Sequence, residues 1–444
     1  MVSFIGHAFL RKLSRFPPHF NVPVRINAAE GLSSPVILGL SGLLFASVLF
    51  GRCPATILHP EFWAEDGMIW YADAYTVGWH SMFFPQNGYL QTLSRLVAVV
   101  AQAFPLLWAP GIFVAVALVI QTLTATFLVS GRMSSVWPSL RGRLLFALIY
   151  VALPNSFETH LNLTNTQWHL AILAFLVLVS RPTESRLGRA GDVMVLALSG
   201  LSGPFCILLL PIAIWQLCED RGTVQLQRAA ILAMTCLIQS AFLIETIRHA
   251  RSTAPLGARG DGLARIFVVQ VLLGGLLGVR VMSRLSHATL FNSGGVMIAV
   301  AIAGLLACAV ALKRGPPVLQ KAALFGALVL AAALWRPQVD VTLPQWSVMT
   351  NPGAGQRYYL LPILVWIGVA LTHAADPNRA LRHFGSVIIL GLCTGIAADW
   401  FYPELPPTDF TKKAGEFAFA SPGTRMEFAL RPPGWAMTLT KQSP

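Results

Sequence analysis

The sequence predicts an all-α polytopic membrane protein of about 11 transmembrane helices, with interfacial or re-entrant helices, a long first outer loop and a small outer C-terminal segment. Three observations carry that expectation. Hydrophobic residues make up 55% of the 444 residues, charged residues only 11%, and the mean hydropathy is +0.63. Uncharged runs of 15 to 26 residues recur along the chain, each comparable to the length that crosses a hydrocarbon core. The 32 Lys and Arg outnumber the 19 Asp and Glu, giving a net charge of +13, and they fall in short loops between apolar runs. Basic residues so placed orient a membrane protein, so the charge points to topology and away from nucleic acid. The six cysteines show no paired spacing and sit mostly inside apolar runs, which suits small buried hydrophobes better than a disulfide framework or a zinc site.

Residues 1–33 form a basic arm with Arg11, Lys12, Arg15 and Arg25, which the positive-inside bias assigns to the cytoplasm. No convincing small-residue cleavage pattern follows the apolar run 34–50, so that run is expected to stay as the first span and carry the chain outward. A transmembrane domain at 34–400, with an outer loop at 51–107, then leads to an outer segment at 401–444. In the loop, residues 89–104 read as an interfacial helix ended by Pro105, Pro110 and Gly111. The run 111–130 returns to Arg132, Arg141 and Arg143, 143–154 goes out again, and 167–180 comes back to Arg181, Arg186 and Arg189.

Residues 193–218 admit two arrangements: one long tilted helix, or two short helices hinged at Ser202-Gly203-Pro204. A single helix puts the arginines of 248–265 in the cytoplasm, as the positive-inside rule prefers. A hinge puts 246–262 outside and makes 264–280 a non-crossing helix with a re-entrant bend at Gly274-Gly275. Beyond this the run 289–312 goes in to Lys313 and Arg314, 318–334 returns, 357–374 goes in to Arg379 and Arg382, and 384–400 exits. In the last segment, EFAFA and RMEFALR around Ser-Pro-Gly-Thr predict a small β-hairpin.

Chemistry concentrates at residues 61–80, EFWAEDGMIWYADAYTVGWH, where Glu65, Asp66 and Asp73 stand among Trp63, Trp70 and Trp79. Adjacent carboxylates at a membrane boundary suit a general base for an acceptor hydroxyl, or a divalent cation (Mg, Mn or Ca) beside a phosphate. If 64–77 is helical, Asp66 and Asp73 share a face; the plainer reading is a solvated loop with an Asp-Gly turn. Gln86, Asn87 and Tyr89 surround a turn suited to hydroxyl recognition, and Asn162, Asn165, Trp168 and His169 recur with Glu158 and His160 in the second outer loop. No standard metal spacing links those two histidines. Arg248, Arg251 and Arg259 lie in an Arg-rich, Lys-free segment, and Arg357 and Tyr358 open a late span; such arginines hold lipid phosphate or merely anchor and orient helices.

The acidic pair Glu65-Asp66 in a long first outer loop, the interfacial helix before span two, the short basic inner loop and the start at Arg357, Tyr358 and Pro362 together resemble the GT-C superfamily of integral-membrane glycosyltransferases. The resemblance implies inverting transfer of a sugar from a polyprenyl-phosphate donor to a glycan or lipid acceptor, at the outer face of a bacterial inner (plasma) membrane. It further implies Asp66 as base, Glu65 as its neighbour or as a metal contact, and Arg357 on the donor phosphate, and it favours the hinged arrangement. Two departures stand out: Glu-Asp-Gly replaces the Asp-Asp or Asp-Glu of many members, and the C-terminal segment is too small for a large carbohydrate-binding domain. The alternative from the same residues is a lipid or glycan transporter or flippase, in which the carboxylates gate or couple to protons.

Overall fold

The computed structural model describes residues 34–247 and 254–443. The basic arm, Arg248 and Arg251 lie outside the described residues. Fifteen helices of seven or more residues carry the chain among those described: α1 Pro35–Arg52, α2 Thr92–Ala101, α3 Ala109–Val129, α4 Leu140–Val151, α5 Thr166–Val179, α6 Arg186–Leu201, α7 Phe205–Glu219, α8 Thr223–Ile247, α9 Gly260–Leu272, α10 Gly274–Leu285, α11 Gly294–Arg314, α12 Pro317–Trp335, α13 Leu360–Ala374, α14 Arg379–Ala398 and α15 Phe410–Phe419. Prolines open α1 and α12, where the missing N–H has no intrahelical partner to lose.

Six of these helices are long and apolar enough to cross a membrane, namely α1, α3, α8, α11, α12 and α14, or up to seven spans if α9 and α10 count as one. The expected count of about 11 is corrected accordingly. The segments around 143–154, 167–180, 193–218 and 357–374 form helices of only 12 to 16 residues. At 1.5 Å per residue these reach roughly 18–24 Å, short of a core of about 30 Å. Packing holds them instead: nearly every side chain of α5 is buried, as befits a helix that is apolar all round.

The break in 193–218 is real. Leu201 ends α6, Gly203 takes φ +113°, and α7 begins at Phe205, so the hinged reading describes the backbone. The 264–280 segment also bends: α9 ends in a π-helical turn at Phe267–Leu272, and α10 leaves it at 107°. At Gly278, φ +76° and ψ 172°, the chain turns again, and a Cβ there would lie against the Asp399 carboxylate. That carboxylate instead accepts from Val279 N (2.7 Å), Arg280 N (3.2 Å) and Asn155 N (3.1 Å), tying the bend to the end of α14.

Polar clusters separate two ends of the helical body. At one end, Arg52 of α1 donates to Val151 and Leu153 O after α4 and to Asp399 O after α14, under the Tyr402 ring. At the other, Asp192 accepts from Arg132 (2.7 Å) and Arg228 (3.0 Å), Arg314 pairs with Asp376 (2.5 Å), and Lys321 with Glu219 (2.5 Å).

The C-terminal hairpin exists, and RMEFALR supplies one strand as expected, but EFAFA does not supply the other. EFAFA belongs to α15, whose Phe410, Ala414 and Phe417 form one buried stripe at helical spacing. The strands are β1 Arg425–Ala429 and β2 Ala436–Thr440, antiparallel, with Phe428 opposite Met437. Phe428, Met437 and Leu439 join Phe62, Trp70 and Tyr71 in one apolar cluster, so this segment docks on the loop that follows α1.

Candidate functional site

The motif at 61–80 begins as an extended stretch clamped by the turn after β1. Arg431 N donates to Phe62 O (3.1 Å), Ala64 N donates to Arg431 O (2.5 Å), and the Arg431 guanidinium pairs with Glu61 (2.8 Å). Gly67 permits the approach, because a Cβ there would stand 2.9 Å from the Leu430 side chain and 3.1 Å from that of Phe62. From Asp66 to Tyr71 the chain forms a π-helical turn, a rare geometry that clusters at functional sites. Its i→i+5 pairing breaks the 3.6-residue period, so Asp66 and Asp73 do not share a face as an α-helix would have them do.

Asp66 turns inward. It is buried, and its carboxylate accepts from Leu163 N (3.0 Å), Thr164 N (2.8 Å) and Thr164 Oγ1 (2.6 Å). Burial pushes its pKa up to about 7; those three donors oppose the rise and the neighbouring Glu65 charge adds to it. Glu65 is half-buried, faces a cavity, and makes no ion pair or side-chain hydrogen bond among the described residues. Two adjacent carboxylates therefore have separate surroundings: one braces a loop and the other is presented to the cavity.

That cavity measures about 970 Å³ and lies at the end of the body where Arg52 gathers α1, α4 and α14. Of the residues expected at a site, it brings together Glu65, Gln86, Asn87, Tyr89, Asn165, Trp168, Arg357 and Tyr358. Asn87 (φ +55°) and Gly88 (φ +85°) form the tip between Gln86 and Tyr89, a left-handed pair suited to the Asn-Gly sequence. The Arg357 guanidinium pairs with Glu158, donates to Gln338 O (2.5 Å) and lies 4.7 Å from the Tyr358 ring centre. Glu65 is within electrostatic reach of it.

Other expected residues lie outside the lining. Asp73 pairs with Arg95 (2.9 Å), which is buried under Trp70. Asn162 braces its loop through Glu158 O, His160 O and Asn165 N. His169 lies deeper, between Tyr150 Oη (2.5 Å) and Thr159 O (2.8 Å). Arg259 is exposed and pairs only locally, with Asp261 (3.1 Å).

No family model, curated protein or solved structure matches this chain.

The lining also holds Glu158, Arg280 and Gln356, which the sequence placed in polar or arginine-rich clusters, and Gln91, Gln338, Asp399, Tyr402 and Trp435, none of which the sequence singled out. Arg280 donates to Ala398 O (3.1 Å) and Phe401 O (2.8 Å), and Tyr402 bonds to the ring of the buried His160. Burial, with His169 and Arg52 nearby, pushes the His160 pKa well down, so the ring is neutral. Among the described residues no three or more His, Cys, Asp and Glu side chains converge as a metal-ligand set. With Asp66 committed to its loop, Glu65 and Asp66 do not form a two-carboxylate cation site; a divalent cation here would rest on Glu65 and on phosphate oxygens of a ligand.

Proposed function

We propose that the chain is a membrane glycosyltransferase that moves a sugar from a polyprenyl-phosphate donor to a glycan or lipid acceptor, with inversion at the anomeric carbon. The observation that carries this reading is the uncommitted Glu65 carboxylate, facing a large cavity that also presents Arg357, Arg280 and several aromatic rings. Glu65 takes the proton from the acceptor hydroxyl, whose oxygen attacks the anomeric carbon. The bond from that carbon to the phosphate oxygen breaks, and polyprenyl phosphate leaves with the electron pair. Arg357 offsets the negative charge that grows on the leaving phosphate, in a site whose polar partners are already in place. Asp66 serves as a positioning residue, because it fixes Leu163 and Thr164 against the turn that carries Glu65.

The basic residues support an outer placement. Arg132, Arg181, Arg186, Arg189, Lys313, Arg314, Arg379 and Arg382 stand at or beside the end opposite the cavity, which is the cytoplasmic distribution. On this reading the cavity opens on the outer face of a bacterial plasma membrane, and 254–285 is outside.

The test is Glu65→Gln, assayed for sugar transfer from a polyprenyl-phosphate donor with the chain reconstituted in lipid. Loss of about 10²- to 10⁴-fold with an unchanged melting transition supports the assignment; transfer at the wild-type rate removes Glu65 from the chemistry. A labelled lipid-linked sugar that crosses the bilayer with no new glycosidic bond formed would favour the transporter reading instead.

A further inference from the structure

Among the described residues, four other than glycine take a positive φ, and all lie in the loops that line the cavity: Ala64 (+32°), Asn87 (+55°), Asn155 (+54°) and Leu161 (+54°). Asparagine visits this region readily, but alanine does so at a cost, because its Cβ crowds a backbone carbonyl oxygen. Ala64 is buried and immediately precedes Glu65. Such a conformation persists only where its surroundings impose it, and it sets the direction of the residue that follows.

Here the constraint comes from one residue of the C-terminal hairpin. Arg431 grips three residues of the segment: its N–H donates to Phe62 O (3.1 Å), its carbonyl accepts from Ala64 N (2.5 Å), and its guanidinium pairs with Glu61 (2.8 Å). The side chains of that pair are only 15% and 11% exposed, so solvent screens little of the attraction. A tight turn follows, in which Asp66 N donates to Trp63 O (2.6 Å), and Ala64 and Glu65 are its two central residues. Ala64 and Glu65 line the cavity, whereas Glu61, Phe62 and Arg431 do not. Whatever these last three do for the chemistry therefore runs through the backbone.

We propose that Arg431 is a positioning residue for the Glu65 carboxylate: by holding Glu61, Phe62 and Ala64 together it locks Ala64 in its left-handed conformation and so aims Glu65 into the cavity. This rests on the reading of Glu65 as the base of the transfer. A base must lie within hydrogen-bond reach of the hydroxyl it deprotonates, and a displacement of about 1 Å costs on the order of 10²-fold in rate. The far end of the chain thereby sets the geometry of a carboxylate near its beginning, and the hairpin belongs to the catalytic apparatus.

The experiment uses the full chain in nanodiscs, in a background lacking the native cysteines, and follows the reaction of Glu65→Cys with N-ethylmaleimide. Adding Arg431→Met or Glu61→Gln should raise that rate roughly three- to tenfold, because local opening of the segment becomes easier. The two together should do no more than either alone, since they remove one interaction. Glu61→Gln keeps the shape of its side chain and carries the test if Arg431→Met fails to fold. Val341→Cys, which lines the cavity outside this grip, should keep its rate throughout. With Glu65 in place, and with the donor of the Glu65→Gln assay, each substitution should lower kcat per folded molecule roughly 10- to 100-fold and leave KM for the donor unchanged. An unchanged rate at Glu65→Cys or an equal rise at Val341→Cys overturns the proposal, as does full transfer per folded molecule in both variants when Glu65→Gln is inactive. Wild-type transfer in Glu65→Gln beside a faster thiol instead removes the base assignment and leaves the grip on position 65 standing.

Discussion

Asp66 shows how little an acidic pair reveals about which member does the work. Its carboxylate is enclosed by Leu163 N, Thr164 N and the Thr164 hydroxyl, and Asp66→Asn must turn one amide N–H toward a donor. We expect a loss of about 1–3 kcal/mol in stability, read as a lowered melting transition, with sugar transfer per folded molecule falling, but less than in Glu65→Gln. The pH dependence follows from the raised pKa. Between the ordinary 3.8 and about 7 the folded state holds a proton that the unfolded state has released, so stability falls as pH rises through that window and levels off above it. Asp66→Asn should flatten this part of the melting-against-pH curve; an unchanged slope would assign the effect to another group. Arg357→Lys keeps the charge and loses the planar fork that reaches Glu158, Gln338 and Tyr358 together. Donor affinity should drop by about 1–3 kcal/mol in a direct binding titration, and unchanged affinity in Arg357→Ala would leave it a helix anchor.

At the scale of elements, the clearest device is the turn at Gly278 within α10, held by the Asp399 carboxylate on Val279 N and Arg280 N. Asp399→Ala leaves those N–H groups and Asn155 N without their acceptor, and Gly278→Ala adds a Cβ where φ is +76°. Each should speed hydrogen exchange of residues 274–285 relative to α12, and equal protection in the two variants and the wild type would refute the assignment. The hinge at 202–204 and the bend near Gly274-Gly275 were legible because Gly and Pro interrupt apolar runs at those points. EFAFA is a helix end because the apolar stripe that docks on the first loop runs Phe410, Ala414 and Phe417 at helical spacing, leaving Phe419 exposed, and a five-residue window is too short to show that period. The inward turn of Asp66 was not legible at all, since it depends on a π-helical register and on a loop nearly a hundred residues away.

For the whole molecule, the distribution of charge argues for the orientation proposed above, while the length of apolar runs overcounted the spans. Hydropathy does not distinguish a helix facing lipid from one, like α5, enclosed by protein. Orientation is testable in a background lacking the native cysteines. Thr342→Cys, exposed beside the cavity, should react with a membrane-impermeant thiol reagent in intact cells, and Glu184→Cys only after permeabilisation. The reverse pattern would turn the cavity to the cytoplasm. The site is also assembled from distant parts of the chain: Trp63 and Glu65 of the first loop meet Pro432 and Trp435, from the turn between the two strands, in the cavity lining. Synthesis runs from the first of these parts to the last, so a nascent chain whose helices are already packed still lacks part of the cavity lining. On the orientation proposed above, that lining is completed only when the hairpin has been delivered across the bilayer and seated on Gly67.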